Sequence, residues 1–352
     1  TTRVYQLDET VVIPEGVTLT IGPGTFVLGP DGANNGFDVT GDLVATEASF
    51  FFETYLNVYS DQFDTTKSGF RLHSGSTTAL TDCTVLTQES RGYDSDYWND
   101  SIFRWQSAAV WMLDGADLTV DGGQFESLNG LEGARTTVGI RTAPGGTLAV
   151  QNGVSFKQFR AGLMWTPNTN LVNVSSDSEF VGCLGVLSLG GRQTASVSVI
   201  GLPIRIVRSY IDQAAGQLTL TDCDVDLDTH LNVYSDQVLP DNGNESRPGI
   251  MLRDGASAVL TGCTVRSREV SGYSSNNWND SAYRWQSAAI IMRNGSNLTL
   301  DGCELESLNE IEDTPTTFGV RSAPGGTLTI RGNTSFKSFR AGAYWSPGVD
   351  LA

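Results

Sequence analysis

A long internal repeat is the feature that most constrains how this chain can fold. The stretch 93–171 (repeat 1) recurs as 273–351 (repeat 2), with about half of the positions identical at a constant offset of about 180 residues. The motifs RWQSAA and FRAG occur once in each repeat, and LNVYSDQ occurs at 56–62 and again at 231–237. A duplication of this length indicates a fold that can be extended by copying one structural unit.

Short alternating runs of apolar and polar residues occur throughout the chain. Examples are VTLTIG, QLTLTD, NLTLDG and GTLTIRG, whereas no long stretch shows the apolar spacing of a helix. Many of the 39 glycines stand just before or after these runs, where corners are expected. Two or three short strands per turn, glycines at the corners and a recurring inward apolar position predict an all-β chain folded as a right-handed parallel β-helix.

Two segments resemble coils of known secreted proteins. VVIPEGVTLTIGPGTFVLGPDG at 11–32 resembles the first coil of β-helical proteins with the pectin-lyase-like fold, and GIMLRDGASAVLTGCTV at 249–265 resembles their generic coil. The resemblance implies the fold, but it implies no particular activity, because this fold hosts lyases, hydrolases, adhesins and structural proteins.

The repeat also predicts the organisation of the chain. We expect one continuous solenoid with two tandem homologous halves and long projecting loops. Its predicted parts are N-terminal coils at 1–55, a first repeat half at 56–175, bridging coils at 176–214 and a second repeat half at 215–352.

Four of the five cysteines occupy the same place in the pattern. Cys83, Cys223, Cys263 and Cys303 each precede an apolar strand position, with one polar residue in between. The last three are about forty residues apart, which is the spacing of successive structural units, so we predict that they stack as an interior ladder and do not pair. The chain has no CxxC motif and no Cys/His cluster, and we expect no zinc or redox site.

Charge and hydropathy bear on the partners and the location of the protein. The net charge is −18 and the sequence pI is about 4.4, which argues against nucleic acid and anionic membrane surfaces as partners. No apolar run is long enough to span a membrane. We therefore expect an acidic protein that is secreted or lies at the cell surface, without membrane insertion.

The acidic motifs do not form a recognisable catalytic group. The duplicated WND at 98–100 and 278–280 offers a single Asp without a partner for general acid/base work. We predict no catalytic residue, no cofactor and no metal site. Asp94 and Asp96 are the candidates if calcium binds, although repeat 2 has Ser and Asn at these places.

Aromatic residues and sequons mark two further kinds of candidate site. Four aromatic side chains could stack on sugar rings or anchor the projecting loops, and both interpretations stay open; they are Tyr93, Trp98, Tyr273 and Trp278. Six asparagines in Asn-X-Ser/Thr sequons are candidates for glycosylation: Asn99, Asn173, Asn244, Asn279, Asn294 and Asn333.

The two repeats are continued differently. Repeat 1 runs on into VNVSSDSEFVGCLGVLSL, another coil, whereas repeat 2 is followed by no further coil in this sequence. The sequence TRVYQLDETVVIP begins with a strand-like pattern. We expect the open last coil and the first strand to be complementary, which would give head-to-tail self-association into a filament.

Two function hypotheses follow from these patterns. The first is a glycosylated extracellular structural protein, without enzymatic activity, that forms a head-to-tail filament or a surface or adhesive appendage. The alternative is a β-helix protein that binds or degrades polysaccharides, as a lyase or hydrolase, with carbohydrate as its partner.

Overall fold

The computed structural model describes most of the chain in twelve segments. These are residues 2–29, 35–55, 68–91, 107–129, 138–172, 174–188, 190–206, 210–230, 248–271, 287–309, 318–346 and 348–351. All regular secondary structure in these segments is β-strand. No helix long and apolar enough to cross a membrane occurs in them. The chain divides into two compact units, Thr1–Leu187 and Ser188–Ala352.

The first unit is built from strands of three to eight residues. In chain order they are β1 Arg3–Gln6, β2 Val11–Ile13, β3 Thr18–Ile21, β4 Thr25–Gly29, β5 Phe37–Val39, β6 Asp42–Thr46, β7 Ser49–Tyr55, β8 Phe70–Leu72, β9 Thr77–Thr81, β10 Thr84–Arg91, β11 Ala108–Met112, β12 Asp117–Asp121, β13 Gln124–Ser127, β14 Val138–Arg141, β15 Thr147–Gln151, β16 Ser155–Lys157, β17 Ala161–Trp165, β18 Asn170–Val172, β19 Glu179–Val181 and β20 Leu184–Ser188.

The second unit is also built from short strands. They are β21 Gly191–Gln193, β22 Val197–Ile200, β23 Pro203–Ile206, β24 Ile211–Gln213, β25 Gln217–Thr221, β26 Asp224–His230, β27 Ile250–Leu252, β28 Ser257–Thr261, β29 Thr264–Ser271, β30 Ala288–Met292, β31 Asn297–Asp301, β32 Glu304–Ser307, β33 Phe318–Ser322, β34 Thr327–Arg331, β35 Ser335–Lys337, β36 Ala341–Tyr344 and β37 Asp350–Leu351.

Within each unit, a strand pairs in parallel with the third strand after it until its sheet ends. In the first unit the sheet orders are β1-β4-β7-β10-β13-β16-β19, β2-β5-β8-β11-β14-β17-β20 and β3-β6-β9-β12-β15-β18. In the second unit they are β21-β24-β27-β30-β33-β36, β22-β25-β28-β31-β34-β37 and β23-β26-β29-β32-β35. Three strands thus make one coil and every coil stacks on the next, so the predicted parallel β-helix is confirmed in each unit. The predicted part boundaries and the continuity between the parts stay predictions.

Alternation along each strand creates the core. Every second side chain points inward, and in-register pairing stacks these inward side chains into columns. One column of the first unit contains Phe125, Phe156 and Phe180, whose rings lie 5.3 Å apart from one coil to the next and are nearly parallel. The core is therefore a set of repeated columns, which explains why a sequence repeat can be read directly as a structural one.

The predicted cysteine ladder is also confirmed. Cys223, Cys263 and Cys303 are buried, free thiols at equivalent places on successive coils. In the first unit, Ala48 and Cys83 are buried at the matching place, because Thr84 pairs with Ser49. The next position is Gly123, whose φ of 88° and close approach to the Cys83 carbonyl oxygen leave no room for a side chain. Local backbone geometry thus explains why the ladder is interrupted there.

Candidate functional site

Most residues predicted for sugar contact, calcium binding and glycosylation lie outside the described residues. This holds for Tyr93, Asp94, Asp96, Trp98, Asn99, Asn173, Asn244, Tyr273, Trp278 and Asn279. Their proposed roles stay predictions. The structure does place the remaining two sequon asparagines, and it reveals features at the first and last coils that are considered next.

Asn294 and Asn333 both lie in exposed turns. Asn294 is in the turn between β30 and β31, and Asn333 is in the turn between β34 and β35 with a φ of 62°. The hydroxyl group of Ser296, which completes the first sequon, is buried and donates a hydrogen bond to the Arg293 carbonyl at 2.7 Å. Asn333 is therefore the more accessible of these two sequons.

The first coil (β1–β3) leaves one inward position on each of its strands uncovered, although Ile13 and Ile21 are buried. Tyr5 heads the column that continues through Val27 and Phe50, yet it is 51% exposed whereas those two are buried. Val11 and Leu19 head the other two columns and are only half-buried. A cavity of about 370 Å³ opens among these residues and is lined mostly by apolar side chains.

The last coil (β35–β37) leaves its inward positions uncovered as well. Phe336 follows the buried Leu305, Ala343 follows Val320, and Leu351 follows Leu328 in their columns. Phe336 and Ala343 are half-buried, and Leu351 is 52% exposed. These are the positions on which a further coil would stack.

Repeat 1 shows the same coil in its covered form. Phe156 and Phe159 are fully buried there, whereas Phe336 and Phe339, their equivalents in repeat 2, are only partly buried. The contrast is largest for the tryptophan of this coil. Trp165 is 3% exposed in repeat 1 and Trp345 is 55% exposed in repeat 2. Three aromatic residues of the last coil are therefore identical to residues that are buried in repeat 1.

The first and last coils match in dimensions. The separation in sequence between Val11 and Leu19 equals that between Ala343 and Leu351. The separation between Tyr5 and Val11 is one residue shorter than that between Phe336 and Ala343. The three inward positions of one coil can thus face the three inward positions of the other.

One pair of opposite charges faces across the two coils when they are stacked. When Tyr5 is placed over Phe336, Glu9 falls over Arg340, and both residues lie in bends between strands. Opposite charges that face each other at short distance attract.

A duplicated polar cluster was missed by the sequence analysis. The buried carboxylate of Glu89 accepts a hydrogen bond from Thr54 at 3.2 Å, and the side chain of Asn129 both accepts from the Glu89 N–H (2.6 Å) and donates to the Glu89 carbonyl (3.1 Å). The second unit repeats this arrangement, with very similar distances, in Thr229, Glu269 and Asn309. Glu and Asn are separated by the same number of residues in both clusters, and this equal separation was the sequence signal that could have revealed them. The clusters lie at the ends of β10 and β29, where they tie the strand end to the next coil.

Two half-buried arginines also recur at equivalent places. Arg141 on β14 lies over the ring of Trp111 at 4.2 Å, and burial lowers the pKa of Arg141 to about 10. Burial likewise lowers the pKa of Arg321 on β33. The Nη1 atom of Arg321 is buried and has no hydrogen-bond partner. Burying either guanidinium in its charged form opposes folding.

Comparisons with known proteins give fold-level likeness only. No protein-family model and no curated protein matches this chain. Among solved structures, the Streptococcus pneumoniae surface protein and adhesin PfbA is similar at 10% identity, over 100% of this chain and 90% of that chain, with a TM-score of 0.40. The Siphovirus 9NA tailspike receptor binding domain is similar at 9% identity over 100% and 73%, with a TM-score of 0.31. The A-module of the Azotobacter vinelandii mannuronan C-5 epimerase AlgE6 is similar at 10% identity over 98% and 89%, with a TM-score of 0.25.

Proposed function

We propose that this protein is a structural β-helix subunit that associates head to tail through its first and last coils. The observation that carries the proposal is the contrast between Trp165, which is buried in repeat 1, and Trp345, which is exposed in repeat 2. A second molecule is the occupant that we assign to the last coil. The function requires no catalytic residue.

The first coil of one molecule would add three strands to the last coil of another. β1 would pair with β35, β2 with β36 and β3 with β37, which is strand addition by main-chain hydrogen bonds with side-chain columns that give specificity. Tyr5 would stack on Phe336 in the way that Phe180 stacks on Phe156 at 5.3 Å. The cavity at the first coil would be filled by the inward side chains of the partner's last coil.

Such a contact uses two different surfaces of each molecule. Because it is heterologous, it leaves the other surface of each molecule free and can repeat from molecule to molecule, which is how an open filament grows. Burying the uncovered columns removes apolar area from water, which is the main favourable contribution to association. The facing of Glu9 with Arg340 fixes the register and favours this pairing over two first coils or two last coils.

An extracellular or cell-surface location fits this proposal. Asn294 lies at an exposed corner between β30 and β31, outside the last coil, so a glycan there would leave the coil-to-coil contact free. The acidic net charge of −18 keeps assembled molecules soluble. The polysaccharide-related alternative stays a prediction, since the aromatic residues on which it depends lie outside the described residues.

The proposal is tested by the concentration dependence of the sedimentation coefficient of the full chain. The wild-type protein is expected to sediment as a growing series of oligomers as its concentration rises. Tyr5→Asp places a carboxylate at the head of a column and is expected to shift the midpoint of assembly to at least about tenfold higher concentration, which corresponds to about 1.4 kcal/mol.

The matched control is Val44→Asp. Val44 is an exposed apolar residue on β6, away from the first coil's columns, so its replacement tests added charge without touching the proposed contact. A wild-type protein that stays monomeric at every concentration, or equal effects of the two substitutions, would overturn the proposal. Both variants are to be checked for wild-type circular dichroism first.

A further inference from the structure

The cysteine ladder of the second unit is a cluster of ligating side chains that the proposed function does not use. Cys223, Cys263 and Cys303 are buried and free, and each stands on the next coil. Backbone hydrogen bonds hold them in register: the Thr264 N–H donates to the Cys223 carbonyl at 3.0 Å, and the Glu304 N–H donates to the Cys263 carbonyl at 2.9 Å.

The three sulfur atoms occupy equivalent positions on successive coils. Each Sγ–H donates to a carbonyl of the preceding coil at nearly the same distance: Val199 (3.4 Å) for Cys223, Leu220 (3.4 Å) for Cys263 and Leu260 (3.3 Å) for Cys303. Each also lies 3.3–3.7 Å from the carbonyl oxygen two residues before it. Since the environment is the same, neighbouring sulfurs are displaced by one strand spacing, about 4.8 Å.

This spacing suits a metal ion better than a disulfide. A disulfide needs Cβ atoms about 3.8 Å apart and sulfurs about 2.05 Å apart, so adjacent coils would have to move. Two thiolate–metal bonds of about 2.3 Å in line span about 4.6 Å, which nearly equals the coil spacing. An ion midway between two thiolates therefore requires little movement.

Soft metals bind cysteine in its thiolate form, so each cysteine that binds must lose its proton.

From this geometry we propose that the ladder is a binding site for one soft divalent cation that takes two thiolates in line, of the Hg(II) class, between Cys263 and either neighbour. Two S–H bonds break, two metal–sulfur bonds form and two protons leave to solvent, so a dication gives a neutral buried complex. The third thiol stays protonated. No three His, Cys, Asp or Glu side chains converge on one point among the described residues, and a linear site needs only two.

The test is an equilibrium titration of the full chain with mercuric chloride. The background carries Cys83→Ala and Cys183→Ala, so that only ladder thiols remain. We expect one Hg(II) per chain, release of two protons, an ultraviolet sulfur-to-metal charge-transfer band and one remaining reactive thiol after unfolding.

The affinity for Hg(II) should depend on which of the three cysteines is replaced by alanine. Cys303→Ala and Cys223→Ala each leave one adjacent pair and should retain tight binding. Cys263→Ala separates the remaining thiols by two coils, about 9.6 Å, and should weaken binding at least about 100-fold because the second thiolate no longer adds to the first.

Alanine is a suitable replacement because Ala48 fills the matching interior place in the first unit. Equal affinities of the three alanine variants, or loss of thiols by disulfide formation without bound metal in mass spectra, would overturn the proposal. Because this site lies within the second unit, its failure would leave the head-to-tail assembly untouched.

Discussion

The ring of Phe156 stacks on the ring of Phe180 at 5.3 Å and 8°. Phe336, the equivalent of Phe156 in repeat 2, lies on the last coil and is half-exposed. One sequence motif thus occurs in a covered and in an uncovered coil of the same chain. The difference gives a direct measure of what stacking a further coil contributes.

Truncating these two phenylalanines should have unequal effects. Phe156→Ala removes a fully buried ring from a column and is expected to lower the free energy of unfolding of the first unit by about 3–5 kcal/mol. Phe336→Ala removes a half-exposed ring and should cost the unassembled second unit less than half as much. Chemical denaturation at a concentration at which the protein is monomeric measures both. Equal losses would contradict the assignment of the last coil as uncovered.

Gly123 should tolerate no side chain. An added Cβ would lie 2.2 Å from the Cys83 carbonyl oxygen at a φ of 88°, so we expect Gly123→Ala to lower the midpoint of thermal unfolding through a cost of at least about 2 kcal/mol. Gly75→Ala is the matched control, because Gly75 has a similar φ of 79° but no atom within 4 Å of the added Cβ. It should cost only the backbone strain, about 1 kcal/mol.

The asparagine in each duplicated polar cluster should stabilise its unit. Asn129→Ala and Asn309→Ala each remove two hydrogen bonds to the backbone of a glutamate, and we expect each to cost about 1–3 kcal/mol in denaturant unfolding. Asn297→Ala, which removes one exposed hydrogen bond to Thr327, serves for comparison. A cost no larger than that of Asn297→Ala would show that the clusters are not structural anchors.

Arg321 should oppose folding. Burial lowers its pKa and its Nη1 atom has no hydrogen-bond partner, so the charged guanidinium is disfavoured in the folded protein at every pH below that lowered pKa. Arg321→Met is expected to raise the free energy of unfolding by about 1 kcal/mol at neutral pH. The advantage should shrink as the pH rises through the folded-state pKa, because the wild-type guanidinium then loses its charge. Arg331→Met, at an exposed position, should change stability by less than about 0.5 kcal/mol.

The fold could be predicted from the sequence because the same alternation of apolar and polar residues recurs in each coil. Apolar and polar residues alternate in strands such as β12 and β31, and the cysteines precede the same apolar position in several coils. These patterns show which side chains point inward, without knowledge of distant contacts. The interruption at Gly123 was visible as a substitution, but its cause, a close approach to the Cys83 carbonyl, needed coordinates.

The polar clusters could not be predicted in the same way. Thr54, Glu89 and Asn129 meet because each coil returns the chain to the same sheet, and loop lengths decide which residues coincide. Alternation does not encode those lengths. The sequence predicted that the last coil is open. The exposed fraction of Trp345, and its difference from that of Trp165, could be obtained only from the structure.

The most direct test of head-to-tail assembly is a mixing experiment with two blocked variants. Tyr5→Asp blocks the first coil and Leu351→Asp blocks the last coil, and both residues are already more than half exposed in the single molecule, so neither change should disturb folding. At a concentration above the midpoint of wild-type assembly and below that of the variants, each variant alone should sediment as a monomer. An equimolar mixture should form dimers and stop there, because each dimer joins one intact first coil to one intact last coil. A mixture that remains monomeric, or one that grows beyond dimers, would contradict the account.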